Sequence, residues 1–423
     1  MRLEPRPVQQ YFVYGILIIS LWSTVTNLVP VSVSFVLLVP LVPYALAQNP
    51  SVPPCVTTLA GLYGYFLIST LLYGATSLVE PDFYRRDGNF FVTMLPILVG
   101  GIFTIHTDVE KVMSAFVKWT TLCNLPFMCF FLATHSNLVV SEDIYHFLFI
   151  SHNAAGGFLS MVVAFALGLL IERRRSVAMW ASVLLGLLAL WVTYSRGSVF
   201  GLAVALFIVL VLRERYLKTL IALTAGSTAL VLSFTYRVWL SMGQPPGIMY
   251  RGGTLFAEAQ GDVINSTFLD RLFFLWPRAV YLFLHSPIFG TGFGSFNDIP
   301  YRLEGIPHVF MYNQPYELIF NAAHAHNTFL HVLAETGLVG LGLLIAFLYQ
   351  LWKYIGTLEQ ASVRLGMKLA FWNAIFSSLT EHRLFTPSEM LPFTILLAIA
   401  LAGRAGVVES GAPASPATVG ARE

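Results

Sequence analysis

The sequence predicts an all-α integral membrane protein of about twelve transmembrane helices, with one large outside loop between helices 9 and 10. Three observations carry this reading. Apolar residues make up 56% of the 423 positions. Charged residues make up 11%, against about 25% in an ordinary soluble domain. The mean hydropathy is +0.71. At about 20 residues per span, twelve helices use about 240 residues and leave the rest for loops and tails. Such a composition excludes a disordered chain, a nucleic-acid-binding domain and an ordinary soluble enzyme. The net charge of +2 identifies no partner.

The apolar runs fall at 11–28, 31–47, 56–74, 90–106, 113–134, 153–171, 177–194, 197–212, 218–236, 327–351, 365–380 and 386–403. The first follows Arg2 and Arg6 and is succeeded at once by further spans, so it is expected to be a retained helix rather than a cleaved signal. The run at 113–134 carries Lys118, Asn124 and Pro126, and is the weakest of the set. The stretch from Tyr145 to Ile150 is too short to span and is expected to lie in the interface. Cys55, Cys123 and Cys129 have no metal-ligand spacing; the last two sit in an apolar stretch and are expected to pack there.

Lys and Arg set the orientation. With the N-terminus in the cytoplasm, the inside segments hold 15 of the 24 Lys and Arg. The clusters at 172–175 and 213–218 are the firmest markers, and both termini are expected inside. Residues 1–236 then form the first nine spans, 237–325 an outside loop domain with amphipathic helices, 326–405 the last three spans, and 406–423 a disordered cytoplasmic tail rich in Ala, Gly, Pro and Ser. The loop is too long to be a connector, which marks it as the functional face over an outward cavity. It carries an amphipathic helix from about Ser266 to Leu284, a turn at Gly290, Gly292 and Gly294, and a second arm from Leu303 to Ile319. No internal repeat is visible, and the paired broken helices of transporters are not evident.

Polar residues in such a chain are informative because ionisable groups at membrane depth are costly. In "AHAHNTFLHVLAETGLVG", His324, His326 and His331 sit where the loop re-enters the membrane. A helix starting near Asn327 places Asn327, His331 and Glu335 on one face, a polar stripe expected to meet a cavity or partner. The bland alternative is a snorkelling interfacial cluster. No nearby Cys or carboxylate set completes a tetrahedral zinc site, so no metal is expected. Arg196, in "TYSRGSVFG", is either a helix-end anchor or an anion ligand facing the outer cavity. Arg271 and Arg278, seven apart, share a helix face unless Pro277 interrupts it. They either face lipid phosphates or close over the cavity. "GTGFG" lacks the strand and spacing of a dinucleotide fingerprint, and its glycines read as a tight turn. There is no Walker motif, no Asp-x-Asp pair and no serine elbow. A site poor in carboxylates and rich in Arg and His suits a substrate that brings its own anionic leaving group, such as a lipid diphosphate.

The order "SRG" at the start of a span, then "R…W…PIFGTGFGSF" in a long outside loop, then "HNTFLHVLAETGLVG", resembles the O-antigen ligase and polymerase superfamily of bacterial inner membranes. The motif-level likeness is confined to about residues 190–205 and 265–342. The resemblance implies a metal-independent glycosyltransferase of the GT-C type without cofactor. Its donor is a glycan on undecaprenyl diphosphate, and its active site faces the periplasm. Ligases of the family transfer to lipid A–core, polymerases to a second lipid-linked glycan. Arg196 matches the arginine of the spanning motif, Arg271 the loop arginine ahead of the Trp, and His326 the histidine of the HN motif. Arg278 has no clear counterpart, and Glu381 meets an acidic family position only on a poor local match.

On this resemblance His326 is the general base and Arg196 and Arg271 stabilise the departing diphosphate, with Arg278, His324, Asn327, His331, Glu335 and Glu381 as further substrate-binding candidates. The single large loop and the HN motif favour the ligase over the polymerase. The protein-directed branch usually carries a C-terminal extension, and here the chain ends soon after the twelfth span. A transporter or flippase for an anionic lipid is the reading of another class. It needs the arginines but no base.

Overall fold

The computed structural model describes residues 52–74, 83, 86–102, 107–134, 136–137, 144–149, 151–173, 176–211, 271, 275–298, 308–309, 314–315 and 324–410. The expected spans at 11–28, 31–47 and 218–236 lie outside the described residues, as do the arm Leu303–Ile319 for the most part and the tail beyond 410.

The described chain is built from helices: α1 (Pro54–Gly74), α2 (Asn89–Ile102), α3 (Val109–Thr134), α4 (His152–Arg173), α5 (Val177–Val192), α6 (Arg196–Val211), α7 (Trp276–His285), α8 (Thr328–Gly356), α9 (Ala361–Ser377) and α10 (Pro387–Ser410). A two-residue antiparallel pairing joins β1 (His308–Val309) to β2 (Gln314–Pro315). Helices α1, α3, α4 and α8 are each long and apolar enough to cross a bilayer, and α2, α5, α6 and α10 contain shorter apolar helices. The chain is a multi-pass integral membrane protein.

Composition decides which helix sits inside. Helix α4 is apolar on every face, and 83% of its most apolar window is buried, as expected of a core helix. It packs on α5, α9 and α10. Its backbone touches that of α9, because a Cβ on Gly168 would lie 2.3 Å from Gly366 N. Such close approach is how helices associate in lipid, where no hydrophobic force separates helix from solvent. Asn373 on α9 donates to Ser160 Oγ on α4 at 2.8 Å and adds a polar tie to the contact. Helix α3 is the opposite case: 28% of its window is buried, and Trp119, Leu122 and Leu132 point outward.

Several expectations are corrected here. Cys123 and Cys129 are exposed on α3 rather than packed. The short run at Tyr145 packs against protein. Tyr145, Phe147 and Phe149 are buried with Met128, Phe131 and Leu159, and the Tyr145 hydroxyl donates to Asn124 Oδ1 at 2.6 Å. The last helix continues past Gly406 to Ser410. Of the helix expected from about Ser266, the described part is α7 from Trp276, with Pro277 in its first turn, and the stretch that would link Arg271 to Arg278 lies for the most part outside the described residues. Proline is tolerated there because a first-turn N–H has no intrahelical acceptor.

The helices alternate in direction, which gathers a defined set of ends. Thr328 N at the start of α8 donates to Ser378 O after α9, at 2.9 Å. Ser377 Oγ at the end of α9 donates to Gly197 O at the start of α6, at 3.1 Å. Arg383 Nη1, just before α10, donates to Asn153 O at the start of α4, at 3.1 Å. At the opposite end, Gln360 Nε2 ahead of α9 donates to Asp108 Oδ1 ahead of α3, at 2.9 Å. The polar residues singled out by sequence lie at the first of these ends.

Helix α8 is not the continuous span expected at 327–351. It kinks at Gly337, where φ is 61° and ψ is −161°. The glycine loop fills the break. Leu338 N donates to Pro287 O at 2.9 Å and Val339 N to Ile288 O at 3.1 Å, while Gly292 N donates to Glu335 O at 2.8 Å. Backbone groups freed by the kink are thus satisfied by the wedge, as an apolar surrounding requires. Gly290 permits this approach, since a Cβ there would lie 2.2 Å from Glu335 C and its φ is +78°.

Candidate active site

The site is organised around Glu381, in the turn that follows α9. Backbone bonds hold that turn: Thr380 N and Glu381 N both donate to Ser377 O, at 3.1 and 3.0 Å. Glu381 then takes one partner on each carboxylate oxygen. Arg271 Nη2 donates to Oε1 at 2.7 Å, and His326 Nδ1 donates to Oε2 at 2.9 Å. Arg271 Nη2 also lies 3.4 Å from His326 Nδ1. Two N–H donors cannot bond one another, so the shorter carboxylate contact fixes the proton on Nδ1 and leaves Nε2 of a neutral ring as an acceptor. Burial works to raise the pKa of Glu381. The His326 hydrogen bond and the charges of Arg271 and Arg383 overcome it and hold the carboxyl well below its usual range.

His326 is placed by strained backbone. Its φ is 47°, in the left-handed region that side chains other than glycine seldom adopt. Asn327, next in sequence, caps α8 by accepting from Phe329 N and Leu330 N, both at 3.0 Å, and Asn327 Nδ2 donates to Leu379 O at 3.1 Å. The cap fixes where α8 begins and ties that start to the Glu381 turn. His324 stacks on His326 with ring centroids 4.2 Å apart. Burial, then the neighbouring His326 and His331, push the His324 pKa well below its usual value.

The expected stripe of Asn327, His331 and Glu335 meets protein partners. His331 and Glu335 are fully buried, and Asn327 nearly so. His331 Nε2 donates to Asp87 Oδ1 at 2.7 Å, and Glu335 accepts from Gly294 N at 3.0 Å and Phe296 N at 2.9 Å. These residues hold the glycine wedge, α2 and α8 together. Arg278 is likewise buried, with its Cζ 5.1 Å from the Phe296 ring centroid. Val280, Tyr281 and Leu284 on the same helix are exposed, an apolar surface suited to lipid.

Arg196 opens α6 with its side chain exposed. Its backbone lies beside the Glu381 turn: a Cβ on Gly197 would be 2.7 Å from Thr380 Oγ1 and 3.4 Å from Glu381 Cγ. Arg196 therefore stands at the rim of the cluster, and Arg271, His326 and Glu381 form its interior.

Four residues escaped sequence reasoning. Arg383, almost fully buried, pairs with Glu389 and donates to Ser198 Oγ at 2.7 Å, joining α4, α6 and α10 beneath Glu381. His382 is buried against His331, with ring centroids 4.4 Å apart. Burial, then nearby histidines, push its pKa well below the usual value. A signal existed for these three: "TEHRLFTPSE" packs Glu381, His382, Arg383 and Glu389 into one short stretch of a chain that is 11% charged. For Asp87 there was none, because its partner is 244 residues away.

Residues 181–345 match the family model described as O-antigen ligase, a segment that includes Arg196, Arg271 and His326 but ends before Glu381. No curated protein matches the chain.

Proposed function

We propose that this chain, whose residues 181–345 match the O-antigen ligase family model, is an O-antigen ligase, a GT-C-type glycosyltransferase of about twelve spans. It moves a glycan from undecaprenyl diphosphate to a sugar of lipid A–core at the periplasmic face of a bacterial inner membrane, with both termini cytoplasmic. The observation that carries the reading is the His326–Glu381–Arg271 cluster, which sets a base and a phosphate-binding group side by side.

In the reaction the acceptor hydroxyl attacks the anomeric carbon of the donor glycan. The carbon–oxygen bond to the diphosphate breaks, and its electron pair leaves with undecaprenyl diphosphate. The hydroxyl proton passes to His326 Nε2, the ring nitrogen that Glu381 leaves free. Direct displacement inverts the anomeric centre. Glu381 orients the imidazole and stabilises its protonated form, and it also steers Arg271. One carboxylate cancels one guanidinium, so attraction for the diphosphate comes from the N–H groups of Arg271 not given to Glu381 and from Arg196 at the rim. Arg271 Nε supports this role, being buried without a hydrogen-bond partner among the described residues. Preorganised donors of this kind act where charge develops in the transition state.

A reconstituted transfer assay tests the proposal. Purified protein in detergent is given a labelled undecaprenyl-diphosphate glycan, no added metal, and lipid A–core as acceptor. Label on lipid A–core that is lost with His326→Ala is the expected result. Label that lengthens the donor lipid instead identifies a polymerase, and no transfer to either acceptor returns the chain to the flippase reading.

A further inference from the structure

Beneath the Glu381 cluster lies a second group of polar side chains that the reaction above does not use. Asp87 ahead of α2, His331 on α8 and His382 after α9 each offer one ligand atom, and these atoms all lie within 4.8 Å of one another. Glu335 lies beside this group, its Oε2 being 3.5 Å from His331 Nε2. All four are buried, Asp87 at 4%, His331 at 1%, Glu335 at 0% and His382 at 6% exposure.

Two features make this group incomplete as it stands. First, Asp87 and Glu335 are two buried carboxylates whose only ion pairs among the described residues are with the one imidazole of His331. At most one positive charge then faces two negative ones in an apolar interior, an arrangement burial penalises heavily. Second, neither ring nitrogen of His382 has a hydrogen-bond partner among the described residues, although the ring is buried edge-on against His331. Orphaned buried nitrogens are rare, and each calls for a missing ligand, ion or water. A divalent cation answers both at once. It balances the second carboxylate and takes the lone pair of His382.

We propose that Asp87, His331 and His382, with Glu335 beside them, form a binding site for a divalent transition metal, with zinc as the ion the donor set suits. Two imidazoles and a carboxylate are a zinc-type ligand set, and Glu335 stands next to the fourth position, so that its closure on the ion makes the site structural rather than catalytic. Tetrahedral ligation at about 2.1 Å places ligand atoms about 3.4 Å apart. The Asp87–His331 pair, now 2.7 Å apart, therefore opens by about 0.7 Å. The ion would clamp three elements remote in sequence. Through Glu335, which also holds Gly294 N and Phe296 N, it would lock the glycine wedge into the α8 kink. The clamp sits next to His326 and Glu381 without using either, so it is compatible with metal-independent transfer and does not rest on the proposed reaction.

The test is metal content and spectroscopy on the full chain, purified through a tag that is not metal-chelating. After loading with Zn2+ and desalting, the wild type is expected to retain about one zinc per chain. His382→Ala and Asp87→Asn are expected to bind at least about tenfold more weakly, while His326→Ala, outside the ligand set, retains the ion. Cobalt loading should give the visible absorption of a tetrahedral site in the wild type, a readout that stands even if a variant does not fold. Added Zn2+ should raise the thermal midpoint of the wild type but not of His382→Ala. Wild-type protein that retains no zinc after loading, gives no tetrahedral cobalt band, or loses the ion with His326→Ala but keeps it with His382→Ala overturns the proposal.

Discussion

His326 Nδ1 and Glu381 Oε2 lie 2.9 Å apart, although 55 residues separate them in sequence. The bond joins the loop that enters α8 to the turn that leaves α9. It fixes which ring nitrogen of His326 is left for chemistry, and it shapes the first prediction. His326→Ala should lower transfer by about 10²–10⁴-fold, the range of a lost general base. Glu381→Gln keeps the shape but loses the charge, and should cost less, about 10–10²-fold, with the loss in kcat. Single-turnover assays check both. Equal, full activity in Glu381→Gln would remove it from the mechanism.

Arg271 supplies a planar fork, one arm of which is committed to Glu381 at 2.7 Å. Lysine cannot reach a carboxylate and a phosphate together. Arg271→Lys should therefore lose about 10²-fold in turnover, close to the loss in Arg271→Ala. Arg196, exposed at the rim, should show more of its effect in KM, which a substrate titration separates.

Glu381 also sets an acid limit on stability. Its folded pKa lies below its unfolded value, so its contribution is present above the ordinary carboxylate range and is lost as pH falls through that range toward the folded value. The thermal midpoint in detergent should thus drop on the acid side of about pH 4.5, and drop less in Glu381→Gln. An identical acid limb in the two proteins would refute the assignment.

Gly290→Ala should damage folding more than chemistry. Its φ of +78° strains any side chain, and the new Cβ would lie 2.2 Å from Glu335 backbone atoms, which cannot yield. Overpacking and backbone strain together should cost about 2–6 kcal/mol. Thermal size-exclusion profiles in detergent read this directly, and an unchanged midpoint would show that the wedge does not hold the kink.

Arg383 and Glu389 form a buried pair under the site. Removing either partner leaves a buried charge and should cost about 3–5 kcal/mol. Replacing both, as Arg383→Met with Glu389→Leu, should be less damaging than either single change. A double-mutant cycle on thermal stability measures that coupling.

The sequence by itself determined the membrane class, the positions of the helices now described, the glycine turn, and the motif containing His326. These are local signals: an apolar run must find an apolar surrounding whatever its neighbours do, and glycines mark where the backbone turns. Helix α4 stands where its run predicted, because nothing but burial suits a segment apolar on every face. Tertiary structure decided which polar residues meet. Hydropathy says that His331 and Glu335 must have partners, but not that these are Asp87 from the turn ahead of α2 and the backbone of the wedge. It marks Glu381 as a charge between two spans, but not that Arg271 and His326 both turn to it. Those pairings depend on the order and direction in which helices pack, and that order is set by backbone contacts such as Gly168 on Gly366, which no periodicity along the chain reveals.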